Sequence, residues 1–167
     1  VVALDDIPRF VTLNLIASMQ PTHASSDMNM AEARVGAERI KGAYAWQRFL
    51  KQDTRIAAGS DFPVESANPF LGLHAAVTRR DAAGNPPGGW YPDQAMSVVE
   101  ALRAFTLDAA YAEHAEQTLG TLEPGKWADF ILVDQDIFAI APAQLASTQV
   151  LETWVGGKCV FFRKQAD

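Results

Sequence analysis

Arg55-Ile56-Ala57-Ala58-Gly59-Ser60-Asp61-Phe62-Pro63 is a short apolar run that ends in a glycine and a carboxylate and is then stopped by a proline. Ile56 to Ala58 reads as a buried strand, bounded at once by turn residues. In a parallel α/β barrel, polar residues at the carboxyl ends of strands point into the mouth where chemistry occurs. Asp61 is therefore the leading candidate for a functional residue. The competing assignment is a turn, in which the aspartate caps the bend into Phe62-Pro63. Upstream, Asn14 to Met19 reads as another strand, ending at Gln20-Pro21-Thr22-His23. Residues 24–30 read as a polar, methionine-bearing loop and Glu32 to Gln52 as one helix. Strand, helix and strand make a βαβ unit. His23 then stands at the end of the strand preceding that of Asp61, so the two side chains can face one mouth. Two parallel strands neither close a barrel nor bury both faces. The expectation is that a missing N-terminal segment, or a second copy of the chain, supplies more sheet.

Around this unit, Leu4 to Leu13 reads as a short helix and Pro69 to Arg80 as a longer one. Asp81 to Gly89 is a loop dense in glycine and proline. Ser97 to Ala112 reads as one helix, with Ser97 as its N-cap and Glu100 as the capping-box partner. From Leu119 the period becomes strand-like: Ala128 to Val133, then Val150 to Val155 and Lys158 to Phe162 about a Gly156-Gly157 hairpin turn. The domain expectation is an α/β piece over 1–117 and a small β module over 118–167.

A hydrophobic share of 49% with 20% charged residues describes a folded globular chain rather than a disordered one. The net charge is −6 and lysine and arginine form no cluster, which argues against nucleic acid as a partner. No apolar run is long enough to span a bilayer, so no membrane partner is expected. Cys159 has no second cysteine to pair with, and its apolar surroundings predict a buried structural thiol. The opening Val1-Val-Ala-Leu has neither an initiator methionine nor a signal-peptide layout, which predicts a truncated chain. His74, in an apolar helical stretch, is expected to pack, and His114 to face solvent. Arg79 is read either as a cation favoured at a helix end or as a grip on a substrate carboxylate or carbonyl. There is no G-x-S-x-G elbow, phosphate loop, G-x-G-x-x-G or C-x-x-C, so serine hydrolysis and nucleotide binding lack support.

Taken together, Ser18-Met-Gln-Pro-Thr-His23, Ala58-Gly-Ser-Asp-Phe-Pro63 with Asn68-Pro69, Ala76-Val-Thr-Arg79, Ala101-Leu-Arg-Ala-Phe-Thr106 and the run from Leu119 to Val133 resemble the amidohydrolase superfamily. The branch they resemble is amidohydrolase family 3, the YtcJ-like metal-dependent hydrolases. The resemblance implies the C-terminal part of a (β/α)8 TIM-like barrel, its strands 7 and 8 with their helices, plus part of a small composite β-sandwich. It implies a divalent metal, zinc, in the parent enzyme, and hydrolysis of C–N bonds in a small amide-like substrate by metal-activated water. Asp61 then matches the metal ligand that also shuttles a proton, and His23 falls where the family places substrate contacts. Arg79 matches a recurrent position to which the resemblance assigns no role, and its expected substrate binding rests on its charge beside the glycine-rich loop. The family's His-x-His, bridging lysine and two further histidines have no counterpart here. The metal site is accordingly expected to be incomplete and the isolated chain inactive. The alternative is a non-catalytic regulatory or interaction protein derived from the same fold. Cytoplasm is the expected compartment, with periplasm left open.

Overall fold

The computed structural model describes residues 1–164. Helix α1 (Arg9–Thr12) leads into strand β1 (Ala17–Met19), which is followed by α2 (Pro21–Asp27), α3 (Ala31–Arg39), α4 (Trp46–Leu50) and strand β2 (Ile56–Ala58). The two strands pair in parallel, Ala17 beside Ile56, Ser18 beside Ala57 and Met19 beside Ala58. The βαβ unit is therefore present, but its crossover differs from the sequence expectation in two ways. Most of the segment read as a loop is helical: Gln20 is extended and Pro21 occupies the first turn of α2, where its fixed φ and missing N–H fit. The single helix expected from Glu32 to Gln52 is broken. Gly36 (φ 81°) and Tyr44 (φ 48°) adopt left-handed backbone, and a tight turn, Ile40–Gly42, lies between them. Gly42 lies against the backbone of Val2, whose N–H donates to the Gly42 carbonyl at 2.9 Å. Any side chain at position 42 would collide with the Val2 carbonyl.

Beyond β2, Asn68 caps α5 (Pro69–Thr78) by accepting from Phe70 N–H, and Arg79 closes it in left-handed backbone. The one helix expected over 97–112 is two, α6 (Val98–Phe105) and α7 (Leu107–Ala112), separated at Thr106 (φ −124°, ψ −84°). Both pack on β2. Arg55, just before that strand, donates to the buried Asp108 at 2.8 Å and stacks over the Tyr111 ring at 4.1 Å, tying α7 to the sheet. The core combines large residues, Trp46, Phe49, Ile56, Phe70 and Leu73, with small ones, Ala17, Ala76, Ala101 and Ala104. Alanines at those places let the helices lie close to the short strands.

Strands β3 (Phe130–Val133), β4 (Val150–Val155) and β5 (Lys158–Phe162) form an antiparallel sheet in that order. The turn Pro142–Ser147, between β3 and β4, packs against α5 with Leu145 fully buried. Cys159 is exposed on β5, contrary to the buried thiol expected from its apolar neighbours, because β5 is an edge strand exposed along its whole length. No helix among the described residues is long and apolar enough to cross a membrane.

Candidate active site at the carboxyl ends of the parallel strands

After Ala58 the chain leaves the sheet through Gly59, whose N–H donates to the Met19 carbonyl at 3.2 Å and so extends the strand pairing by one step. Ser60 Oγ accepts from Phe62 N–H at 3.3 Å, and Asp61 sits between them in left-handed backbone, φ 57°. The Asp61 side chain is 52% exposed, so its carboxylate is open to solvent at the mouth. His23 lies in the first turn of α2 rather than at a strand end. The geometry nevertheless brings the two together. His23 Nε2 is 3.6 Å from Asp61 Oδ2, beyond hydrogen-bond length. That nitrogen is shielded from solvent and has no hydrogen-bond partner among the described residues, as is true of Thr22 Oγ1 beside it. A buried polar atom without a partner is costly, and here it adjoins an exposed carboxylate.

Two side-chain contacts hold the far end of α2. Ser26 Oγ donates to Glu65 Oε1 at 2.5 Å, joining α2 to the loop that carries Asp61. Tyr44 Oη donates to the Asp27 carboxylate. Burial and the Asp27 carboxylate push the Tyr44 phenol well above its usual range, so it remains a donor.

Arg79 lies elsewhere. It is only 2% exposed, with its guanidinium 4.3 Å from the Trp46 ring and 5.2 Å from that of Trp90. Its Nε donates to the Trp90 carbonyl at 2.8 Å and its Nη1 to the Tyr44 carbonyl at 3.0 Å. Burial pushes its pKa down to about 10, which leaves it a cation at neutral pH. No contact joins it directly to His23 or Asp61 among the described residues. Sequence reasoning did not find Tyr44 and Asp27 as a pair, since each looked like ordinary helix or loop surface. His74 is buried on α5. His114 is exposed.

Asp61 offers an accessible carboxylate and His23 an unpartnered nitrogen, both suited to a hydrolytic metal or its substrate. Among the described residues, no group of three His, Cys, Asp or Glu side chains converges. Hydrolytic metals take about three protein ligands, so the described residues could supply one edge of such a site and not the whole.

A sequence model of the amidohydrolase family matches residues 1–161. The chain is 36% identical over 157 residues to Protein LONG AFTER FAR-RED 3 of Arabidopsis thaliana, covering 92% of this chain and 26% of that protein. It is 30% identical over 155 residues to a putative amidohydrolase, YtcJ, of Bacillus subtilis (strain 168), covering 93% of this chain and 29% of the other. With the N-substituted formamide deformylase of Arthrobacter pascens the identity is 34% over 109 residues, covering 65% and 20%. The chain thus spans less than a third of the length of these relatives. Among solved structures, an uncharacterized metal-dependent hydrolase from Pyrococcus horikoshii superposes with a TM-score of 0.73 at 31% identity, covering 84% of this chain and 28% of the other.

Proposed function

The chain belongs to the amidohydrolase family, and we propose that it is the C-terminal part of a metal-dependent hydrolase that cleaves the C–N bond of a small amide-like substrate. The observation that carries this reading is the meeting of Asp61 and His23 at the carboxyl ends of two parallel strands, 3.6 Å apart. A formamide deformylase among the relatives supports the bond type. On this reading β1 and β2 are strands 7 and 8 of a TIM-like barrel, residues 1–117 are barrel, and residues 118–167 contribute to a composite β-sandwich. The parallel β1–β2 pair, with Ala17, Ile56 and Ala57 buried, and the separate antiparallel sheet support that division.

A divalent metal, read as zinc, would lower the pKa of bound water and polarise the substrate carbonyl. Asp61 would be one of its ligands, and the chain's remaining chemistry follows from the same carboxylate. An exposed aspartate oxygen can take a proton from the attacking water and pass it to the leaving nitrogen. His23, with its proton on Nε2, would donate to the substrate carbonyl oxygen and satisfy an otherwise unpartnered nitrogen.

The test is amine release from N-formyl and other simple amide substrates by the full-length protein, with metal content measured alongside. Chelation should abolish turnover, and Asp61→Asn should reduce kcat by roughly 10³-fold or more with the fold intact, since both the ligand and the proton carrier are lost. The 167-residue chain alone should show no turnover. Full activity in Asp61→Asn, or activity indifferent to chelation, would sink the reading.

A further inference from the structure

We infer that Arg79 and Tyr44 form a positioning relay that sets helix α2, and with it His23, against Asp61. The inference rests on the reading of His23 and Asp61 as the working pair, but its geometry is independent of any metal. Helix α2 is only Pro21–Asp27, two turns, and too short to hold its own orientation. Its last residue, Asp27, accepts from Tyr44 Oη. Tyr44 itself has φ 48°, a backbone state disfavoured for a residue with a Cβ and maintained only where the surroundings impose it. Arg79 supplies that constraint. Its Nη1 donates to the Tyr44 carbonyl at 3.0 Å, while its Nε donates to Trp90. The guanidinium is fixed in turn between the Trp46 and Trp90 rings, and Trp90 also packs against the Tyr44 ring at 5.9 Å between centroids. The connection runs from a core cation through one backbone carbonyl and one phenol to the end of the helix that carries His23. It gives a buried arginine at the end of α5 a bearing on the site without any contact with substrate. The Ser26–Glu65 hydrogen bond is a separate tie of α2 to the Asp61 loop and does not pass through Arg79.

Chemical labelling of histidines reads this relay directly. The His23 side chain is 24% exposed with Nε2 shielded, so diethylpyrocarbonate should modify it through Nδ1 in the native chain, more slowly than exposed His114 and faster than buried His74. Tyr44→Phe removes only the hydroxyl, and Asp27→Ala only its acceptor. Each should accelerate His23 modification roughly fivefold, the change in local opening expected when one hydrogen bond is lost, while His74 keeps its native rate. Asp27→Asn retains an oxygen acceptor and should label like the native chain. Rescue of this kind distinguishes positioning from a general loss of stability. Unchanged His23 labelling in both Tyr44→Phe and Asp27→Ala overturns the inference. So does acceleration shared equally by His74, or an Asp27→Asn variant that behaves like Asp27→Ala. If the labelling follows the expected pattern while the full-length protein shows no metal-dependent hydrolysis, the relay stands and the functional reading fails.

Discussion

His74 illustrates how one buried side chain imposes a pH dependence on the whole chain. It lies on α5, only 5% exposed, and its pKa is lowered first by burial and then by Arg80, with Asp81 opposing. The unfolded chain therefore binds this proton more readily than the folded one. As pH falls through the ordinary histidine range near 6.5, the unfolded state is protonated first and stability declines toward the lower folded value. His74→Gln should flatten the dependence of Tm on pH between about 7 and 5, within the range where unperturbed histidine titrates. Calorimetry of both proteins across that interval tests it, and parallel slopes would refute the assignment. Arg79 is the contrasting case, a buried cation whose pKa burial lowers to about 10, with Asp93 opposing, so that it stays charged at neutral pH while donating to two backbone carbonyls. The place of Asp61 just past the carboxyl end of β2 was legible from the apolar run before it. The burial of Arg79 was not, because Trp46 and Trp90 reach it from distant parts of the chain.

Helix α6 begins on a capping box in which Ser97 Oγ accepts from Glu100 N–H at 3.2 Å and Glu100 Oε2 accepts from Ser97 N–H at 2.7 Å. Gln47 Nε2 also donates to Glu100 at 3.2 Å, so the cap joins α4 to α6. Ser97→Ala should cost about 1 kcal/mol. In a chain of this size that lowers Tm by roughly 2–4 °C. A thermal melt with no shift would show that the cap is not stabilising. This motif was readable because both partners are local, as were the helix opening at Pro69 and Gly156-Gly157 turning β4 into β5. The crossover was not readable in the same way. The apolar positions between Glu32 and Gln52 fit one helix, but the packing of Gly42 on Val2 and the left-handed Gly36 and Tyr44 divide it. Helix α2 was hidden for the opposite reason, since Ser25, Ser26 and Asp27 look like loop and only Pro21 marks a helix start. His23 therefore reached Asp61 by way of a helical turn, although the sequence placed it on a strand end.

At the scale of the whole molecule, apolar surface is uncovered where the sheets end. Val160 and Phe162 on β5 are each 62% exposed, and Ile131 and Leu132 on β3 are 43% and 46% exposed. Edge strands of this kind offer unpaired backbone groups together with apolar side chains, which is the pattern that recruits another strand. A net charge of −6 gives only a screened, long-range repulsion at physiological salt, too weak to offset close apolar contact. The chain alone should therefore self-associate across the micromolar range, seen as a rising weight-average mass in sedimentation velocity. Val160→Lys with Phe162→Lys places two cations on an edge strand exposed along its whole length, where little packing is lost. This pair should return the chain to a monomer without lowering Tm. A native chain that remains monomeric at every concentration would overturn the expectation. Association that persists in the lysine pair would move the contact to the other uncovered apolar group, Val11, Leu13 and Leu15 beside β1, where the parallel sheet presents its own unpaired edge.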